Sequence, residues 1–275
     1  MSSTNADAGP ALGAVARTAC WTAAARARES LRPDRLFDDP YAAAFAGELG
    51  GRMLDTFGVT HRATDDNPYL PVRTRWYDDF LRAAGLRQVV VLGAGFDARA
   101  FRLDWPDGTV LFELDRADLL AHKAAVLETG GARARCDRRP VAADLADDWP
   151  AALRAAGHDP AEPTAWIGEG LLFYLPEALA RDVLGTAAAL SARGSRLAAD
   201  LICADKAGNA PHRAGFVWRF GTDEPARVVE ECGWAVEAVL GPDQVGRRYG
   251  RWPDEPAPAR RRSHLLTARV PGEAR

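Results

Sequence analysis

Residues 88–115, QVVVLGAGFDARAFRLDWPDGTVLFELD, constrain the chain more than any other stretch. Val89-Val90-Val91-Leu92 is an apolar run too short for a helix and rich in β-branched residues, which reads as a strand buried on both faces. Gly93-Ala94-Gly95 follows at once. A glycine pair just past a strand permits a sharp backbone turn and close approach of a ligand. A second short strand, Val110-Leu111-Phe112-Glu113-Leu114-Asp115, ends on a carboxylate. Together these form a half-site for a nucleoside, with glycine backbone against ribose or phosphate and an acid accepting from the ribose hydroxyls. Taken alone the loop has other readings. GAGFDA also satisfies the dinucleotide fingerprint G-x-G-x-x-[G/A], and a tight strand-to-helix turn without a ligand needs the same glycines.

The rest of the chain discriminates between these readings. Helices are expected at 18–30, after a loose tail at 1–16, and at 41–49, with Asp39 as N-cap, Pro40 at the first helical position and Gly50-Gly51 as the stop. Residues 52–70 carry no clear pattern. A helix at 72–84 ends at Gly85. After the strand–glycine–strand core come a helix at 118–128, a strand at 139–143, a helix at 149–156, a strand at 164–168 ending at Glu169, a helix at 176–190 and a strand at 195–203. A long connection, 204–222, leads to a helix at 224–231. Two strands, 234–240 and 264–270, then flank an Arg- and Pro-rich excursion with no evident helix, which implies an antiparallel pair. Alternation of strands and helices predicts a doubly wound α/β sheet. A reversed last strand favours the seven-stranded, mostly parallel methyltransferase sheet over the six parallel strands of a nicotinamide domain.

Length and charge narrow the partners. With 275 residues and a net charge of −3, the chain fits one core domain with a cap and has no basic bias toward nucleic acid. No apolar run approaches a membrane span, and the first ten residues lack the basic and apolar regions of a signal peptide. Cys20, Cys136, Cys203 and Cys232 show no C-x-x-C, as expected of reduced thiols in a cytoplasmic protein. The histidines have no metal-ligand spacing, so no metal is expected.

Several blocks carry a resemblance: TACWTAAARARES at 18–30, LFDDPYA at 36–42, RTRWYDDFL at 73–81, QVVVLGAGFDARAFRL at 88–103, FELD at 112–115, ADL at 143–145, EGLLFYLP at 169–176, and the late GW and YGR. With them the chain resembles the leucine carboxyl methyltransferase-like family of S-adenosylmethionine (SAM)-dependent methyltransferases, whose bacterial branch includes polyketide O-methyltransferases. The resemblance implies SAM as cofactor, S-adenosylhomocysteine as product and a small-molecule acceptor. It implies a class I methyltransferase core over 85–275, acceptor-pocket loops at 204–222 and 241–263, and an N-terminal helical cap or lid over 17–84. It also implies cofactor contacts. Arg73, with Arg75 as fallback, pairs with the methionine carboxylate through its planar fork. Gly93 and Gly95 bring backbone to the ligand, and Asp115 takes the ribose, with Glu113 the weaker alternative. Asp144 and Leu145 meet the adenine, and Glu169 faces the methionine end. Tyr174, Arg26 and Trp21 are acceptor-side candidates, and Asp97 with Arg99 brace the loop. Two other readings stay open at this point: an NAD(P)-dependent oxidoreductase on the same glycine loop, and a non-catalytic SAM-binding protein.

Overall fold

The computed structural model describes residues 13–60, 68–208, 216–252 and 263–272. Seven strands form one sheet: β1 (Gln88–Leu92), β2 (Val110–Asp115), β3 (Asp137–Ala142), β4 (Thr164–Gly168), β5 (Arg196–Ile202), β6 (Ala235–Leu240) and β7 (Ser263–Arg269). Their order is β3-β2-β1-β4-β5-β7-β6. The β3-to-β5 neighbours pair parallel, and β7 runs antiparallel to both β5 and β6. The reversed strand thus lies between its neighbours, inserted into the 3-2-1-4-5-6 order of a nicotinamide-binding sheet. That topology removes the oxidoreductase reading of the glycine loop.

The helices are α1 (Ala14–Ser30), α2 (Ala42–Thr60), α3 (Tyr69–Ala84), α4 (Arg99–Arg102), α5 (Ala117–Thr129), α6 (Trp149–Ala155), α7 (Glu177–Ala189), α8 (Pro225–Glu231) and α9 (Pro242–Arg248). None of them is long and apolar enough to cross a membrane. Strand alternation assigns the two faces of the sheet. Val89 and Val91 pack with residues of α1, α2, α3 and α5, while Val90 and Leu92 pack with α6, α7 and α8. Each fully buried aliphatic or aromatic side chain contributes about 1.5–3 kcal/mol, so a sheet covered on both faces is well supported.

Four expectations from sequence need correction. The first helix begins at Ala14, inside the stretch read as a tail, while residues 1–12 lie outside the described residues. The helix expected to stop at Gly50-Gly51 runs on to Thr60, with its break at Gly47 (φ 52°, ψ −165°). Gly50 serves close approach instead: a Cβ there would collide with the Cys20 carbonyl of α1. Here helix–helix contact, and not chain termination, explains the glycine. The excursion between the last strands contains α9, where Pro242 starts the helix, Gly241 N–H donates to Gln244 Oε1 at 2.8 Å, and Val245 is buried. The one-turn helix α4, after the glycine loop, is too short for periodicity to show.

His158 gives the fold a pH dependence. It is buried against Phe112 and Trp166, with Nε2 3.2 Å from Thr164 Oγ1. Burial pulls its pKa down to about 4 from the usual 6.5. The folded state therefore refuses a proton that the unfolded chain accepts between those values, and stability falls as pH drops through that window, by up to about 3 kcal/mol. Urea unfolding at pH 7 and pH 4.5 should show the loss, and His158→Asn should reduce it. An unchanged pH slope in the variant would assign the loss to another group.

Candidate functional site

The site lies beyond the C-terminal ends of β1, β2, β4 and β5, where the connections of a doubly wound sheet diverge and ligands bind. Parity places its acids on one face. Glu113 and Asp115 follow Leu111 in steps of two, Glu169 follows Ile167, and Asp200 follows Ala198; Leu111, Ile167 and Ala198 all belong to the core beneath α1–α3.

At the end of β1, Gly93 and Gly95 both have positive φ, 60° and 46°. A Cβ on Gly93 would stand 2.8 Å from Leu171 Cδ1, while one on Gly95 would make ordinary contacts with Ala19 Cβ of α1 at 3.6 Å and the Gly93 carbonyl at 3.9 Å. The first glycine is thus required by the turn, and a side chain there would also have to displace the end of Leu171. The second lies under the N-terminal helix. Gly95 N–H donates to Asp115 Oδ2 at 2.7 Å, and Arg116 N–H to Oδ1 at 2.8 Å. Each carboxylate oxygen therefore accepts one backbone bond and keeps further lone pairs for a ligand. Burial raises the Asp115 pKa, and the two N–H donors offset this only in part.

Glu113, the alternative ribose acid, serves a different purpose. It is fully buried, with Oε2 2.8 Å from Lys123 Nζ and 2.7 Å from Arg138 Nη2. Asp144 is exposed at the end of β3 and accepts from Ala146 N–H at 3.0 Å, while Leu145 beside it is buried in the core under α6. Asp144 is thus both a turn acid and a group open to a ligand.

The densest chemistry is a ladder of buried ion pairs. Arg73, on α3, donates from Nε to Glu169 Oε1 at 3.1 Å and from Nη1 to Asp200 Oδ2 at 3.2 Å. Arg99 continues it, with Nη2 2.7 Å from Glu169 Oε2, Nε 2.7 Å from Asp78 Oδ1, and Nη1 on Asp97. Arg102 closes the ladder on Asp78 at 2.6 Å. The expected brace between Asp97 and Arg99 is present as one rung of this array. Burial alone would raise the Glu169 pKa, but Arg99 and Arg73 outweigh it and hold the carboxyl below its usual range. Asp97 is likewise held down at about 2, burial being overcome by Arg99 and Lys123. Arg75, the fallback for Arg73, pairs with Asp79 at 2.8 Å and is spent on the surface of α3.

Arg26 is 2.8 Å from Asp39 Oδ2 and donates to the Phe96 carbonyl at 2.7 Å. It therefore fastens α1 to the glycine loop. Tyr174 ends the turn Leu172–Tyr174 and packs against Phe173 and Phe216, with ring centroids 4.8 and 5.8 Å away. Burial raises its pKa, and the neighbouring Thr18 and Trp218 side chains offset this only in part. His212, a further candidate for a base on the acceptor side, lies outside the described residues.

Asp200, Tyr69, Tyr77 and Asp78 escaped the sequence reading. A signal existed: Asp200 is the only charged residue within the otherwise apolar run LAADLI of β5, and a charge in a buried strand demands partners.

The chain matches the leucine carboxyl methyltransferase family over residues 19–188. It belongs to that family of SAM-dependent methyltransferases. A candidate SAM-dependent methyltransferase of Frankia alni is 43% identical over 250 residues, covering 85% of this chain and 87% of that protein. One of Mycobacterium sp. (strain JLS) is 39% identical over 278 residues, covering 91% and 93%. Among solved structures, a candidate methyltransferase of Thermobifida fusca aligns with a TM-score of 0.55 at 18% identity, over 87% of this chain and 95% of that one. This last likeness concerns the fold, and it agrees with the inserted antiparallel strand.

The residues present fit the family's cofactor. Arg73 is buried, yet its Nη2 takes no hydrogen bond among the described residues, leaving one arm of the fork for a carboxylate. Asp115 retains acceptor capacity for a diol, and Gly95 offers backbone without a side chain.

Proposed function

We propose that this methyltransferase acts on an oxygen of a small-molecule acceptor, a carboxylate before a phenol, in secondary metabolism. The cofactor supplies a methyl group already activated on a sulfonium. The chain's own task is to bind, orient and exclude water. Asp115 takes the ribose, Arg73 the methionine carboxylate, Asp144 and Leu145 the adenine edge, and Glu169 orients Arg73 at the methionine end. The helix α1, fastened by Arg26 and lying on the glycine loop through Ala19, is the lid that encloses them. It also contributes Ala23 and Ala24 to the core, so its opening is a hinged movement of a packed helix.

The observation that supports the oxygen class is the state of Glu169 and Tyr174, two of the three candidate bases; the third, His212, lies outside the described residues. A phenol or alcohol needs a group to take its proton, and an ionised carboxylate does not. Glu169 is held by two arginines below its usual pKa and is a poor base. Tyr174 is pushed up by burial and keeps its own proton at neutral pH. Kinship with the family's bacterial O-methyltransferases supports the same class.

The test is the single-turnover methylation rate with a carboxylate acceptor and its phenol analogue. The carboxylate rate should stay nearly flat between about pH 6 and 9, because its reference pKa is near 4. A tenfold rise per pH unit, or transfer to the phenol alone, would replace the carboxylate reading. If SAM binds but no acceptor oxygen is ever methylated, the non-catalytic alternative stands.

A further inference from the structure

The ladder is not electrically balanced. Its carboxylates are Asp200, Glu169, Asp97 and Asp78, and its cations are Arg73, Arg99 and Arg102, so one negative charge is in excess. Widening the boundary does not remove it. Glu113 is paired with both Lys123 and Arg138, whose second positive charge offsets the negative charge of nearby Asp115, and Asp39 is paired with Arg26. The tyrosines beside the ladder, Tyr69 and Tyr77, have pKa values raised by burial and by Asp200, so they add no charge.

The excess is localised by hydrogen bonding. Asp200 is completely buried and accepts from Gly170 N–H at 2.6 Å, Tyr77 Oη at 2.9 Å, Tyr69 Oη at 3.1 Å and Arg73 Nη1 at 3.2 Å. All four are donors, as an ionised carboxylate requires, but only Arg73 carries a charge, and Glu169 shares it. Neutral donors solvate a carboxylate without cancelling its charge, and in surroundings of low dielectric an uncancelled charge acts over a longer distance. Nη2 of Arg73 has no hydrogen bond among the described residues and is free to meet a ligand's carboxylate.

We propose that Asp200 determines the charge preference of the cofactor site, favouring the sulfonium form over the thioether product. This inference rests on the SAM reading of the site. At neutral pH the bound form that reacts carries a sulfonium, an ammonium and a carboxylate, net +1, which cancels the excess. On transfer the methyl–sulfur bond breaks, its electron pair stays on sulfur, and the methyl carbon bonds to the acceptor oxygen. The resulting S-adenosylhomocysteine is net neutral, so the excess returns and product release is favoured. One unit charge within about 10 Å, at an effective dielectric of about 20, corresponds to roughly a tenfold or greater difference in affinity.

The experiment compares two ligands by calorimetry at pH 8, where imidazoles are neutral: S-adenosylhomocysteine, and sinefungin, whose amine provides a positive charge in place of the sulfonium. Wild type should bind sinefungin about tenfold or more tightly than S-adenosylhomocysteine. Asp200→Asn should bring the two affinities close together, and Glu169→Gln, which removes the same unit of charge from the ladder, should also narrow the gap. Tyr77→Phe deletes a hydrogen bond to Asp200 without changing charge, so it should keep the ratio even where both affinities fall. Equal or reversed affinities in wild type would overturn the proposal, and so would an unchanged ratio in folded Asp200→Asn. Should Asp200→Asn not fold, the wild-type and Glu169→Gln ratios decide. Binding of neither ligand would instead sink the SAM reading itself.

Discussion

Asp78→Ala should destabilise the protein by about 3–5 kcal/mol, the cost of stranding buried charges whose partner is removed. The side chain is fully buried on α3. Its Oδ1 lies 2.7 Å from Arg99 Nε, and its Oδ2 2.6 Å from Arg102 Nη1. Both arginine side chains are at most 4% exposed, so water cannot replace the lost carboxylate. Burial alone would raise the Asp78 pKa, but Arg102 and Arg99 outweigh it and hold it below the usual value. The folded state therefore prefers the charged form. This contribution is present above the unfolded carboxylate pKa near 4 and is lost as pH falls through the lower folded value. In a thermal melt near neutral pH the variant should lose roughly 10 °C, at the few degrees per kcal/mol expected for a domain of this size. A shift under about 2 °C would mean that Glu169 and Asp97 suffice for Arg99, and that Arg102 reaches solvent.

Why was this rung invisible in the sequence when the glycine loop was plain? Val89 to Asp115 is a local pattern: a short apolar run, two glycines, and an acid at the end of the next strand. Each element has its own backbone or burial signature. The central parallel strands were legible for the same reason, since β1, β2 and β4 are short, mostly apolar runs, and the reversed last strand was inferred from the lack of an evident helix before it. Asp78 and Asp79 instead read as an ordinary charged pair in the α3 segment WYDDFL. Only tertiary packing shows that Asp78 faces Arg99 and Arg102, 21 and 24 residues later, while Asp79 bonds to Arg75 and Tyr249 near the surface. Asp200 and Arg73 are 127 residues apart, a pairing that no local rule reaches. The helix ends at Gly50 failed for a related reason. A glycine pair signals a stop when only the chain is considered, but here it admits the backbone of a second helix. Charged side chains in this fold derive their roles from partners across the sheet end, whereas apolar periodicity carries its meaning within one element.

Asp115→Ala should weaken S-adenosylhomocysteine binding by about 1.5–3 kcal/mol, or roughly 10- to 150-fold, as for loss of a charged hydrogen-bond acceptor. The magnitude has two sources that the structure makes separable. One is direct: each Asp115 oxygen carries a single backbone bond and has a lone pair left for a ribose hydroxyl. The other is indirect, because Oδ2 also holds Gly95 N–H at 2.7 Å and so fixes the glycine loop. Adenosine and its 2′,3′-dideoxy analogue distinguish the two. If the carboxylate meets the diol, wild type should prefer adenosine strongly, and Asp115→Ala should bind both nucleosides about equally. If Asp115 acts only through the loop, the variant should lose affinity for both in parallel and retain the preference. Asp115→Asn sharpens the comparison, since its amide oxygen can still accept from Gly95 while the negative charge is gone. Affinity for adenosine should then fall between those of wild type and the alanine variant. Affinity unchanged in both variants would place the ribose elsewhere. Glu113 could not take over from its present position, because Lys123 and Arg138 already hold its Oε2 in a fully buried pair set.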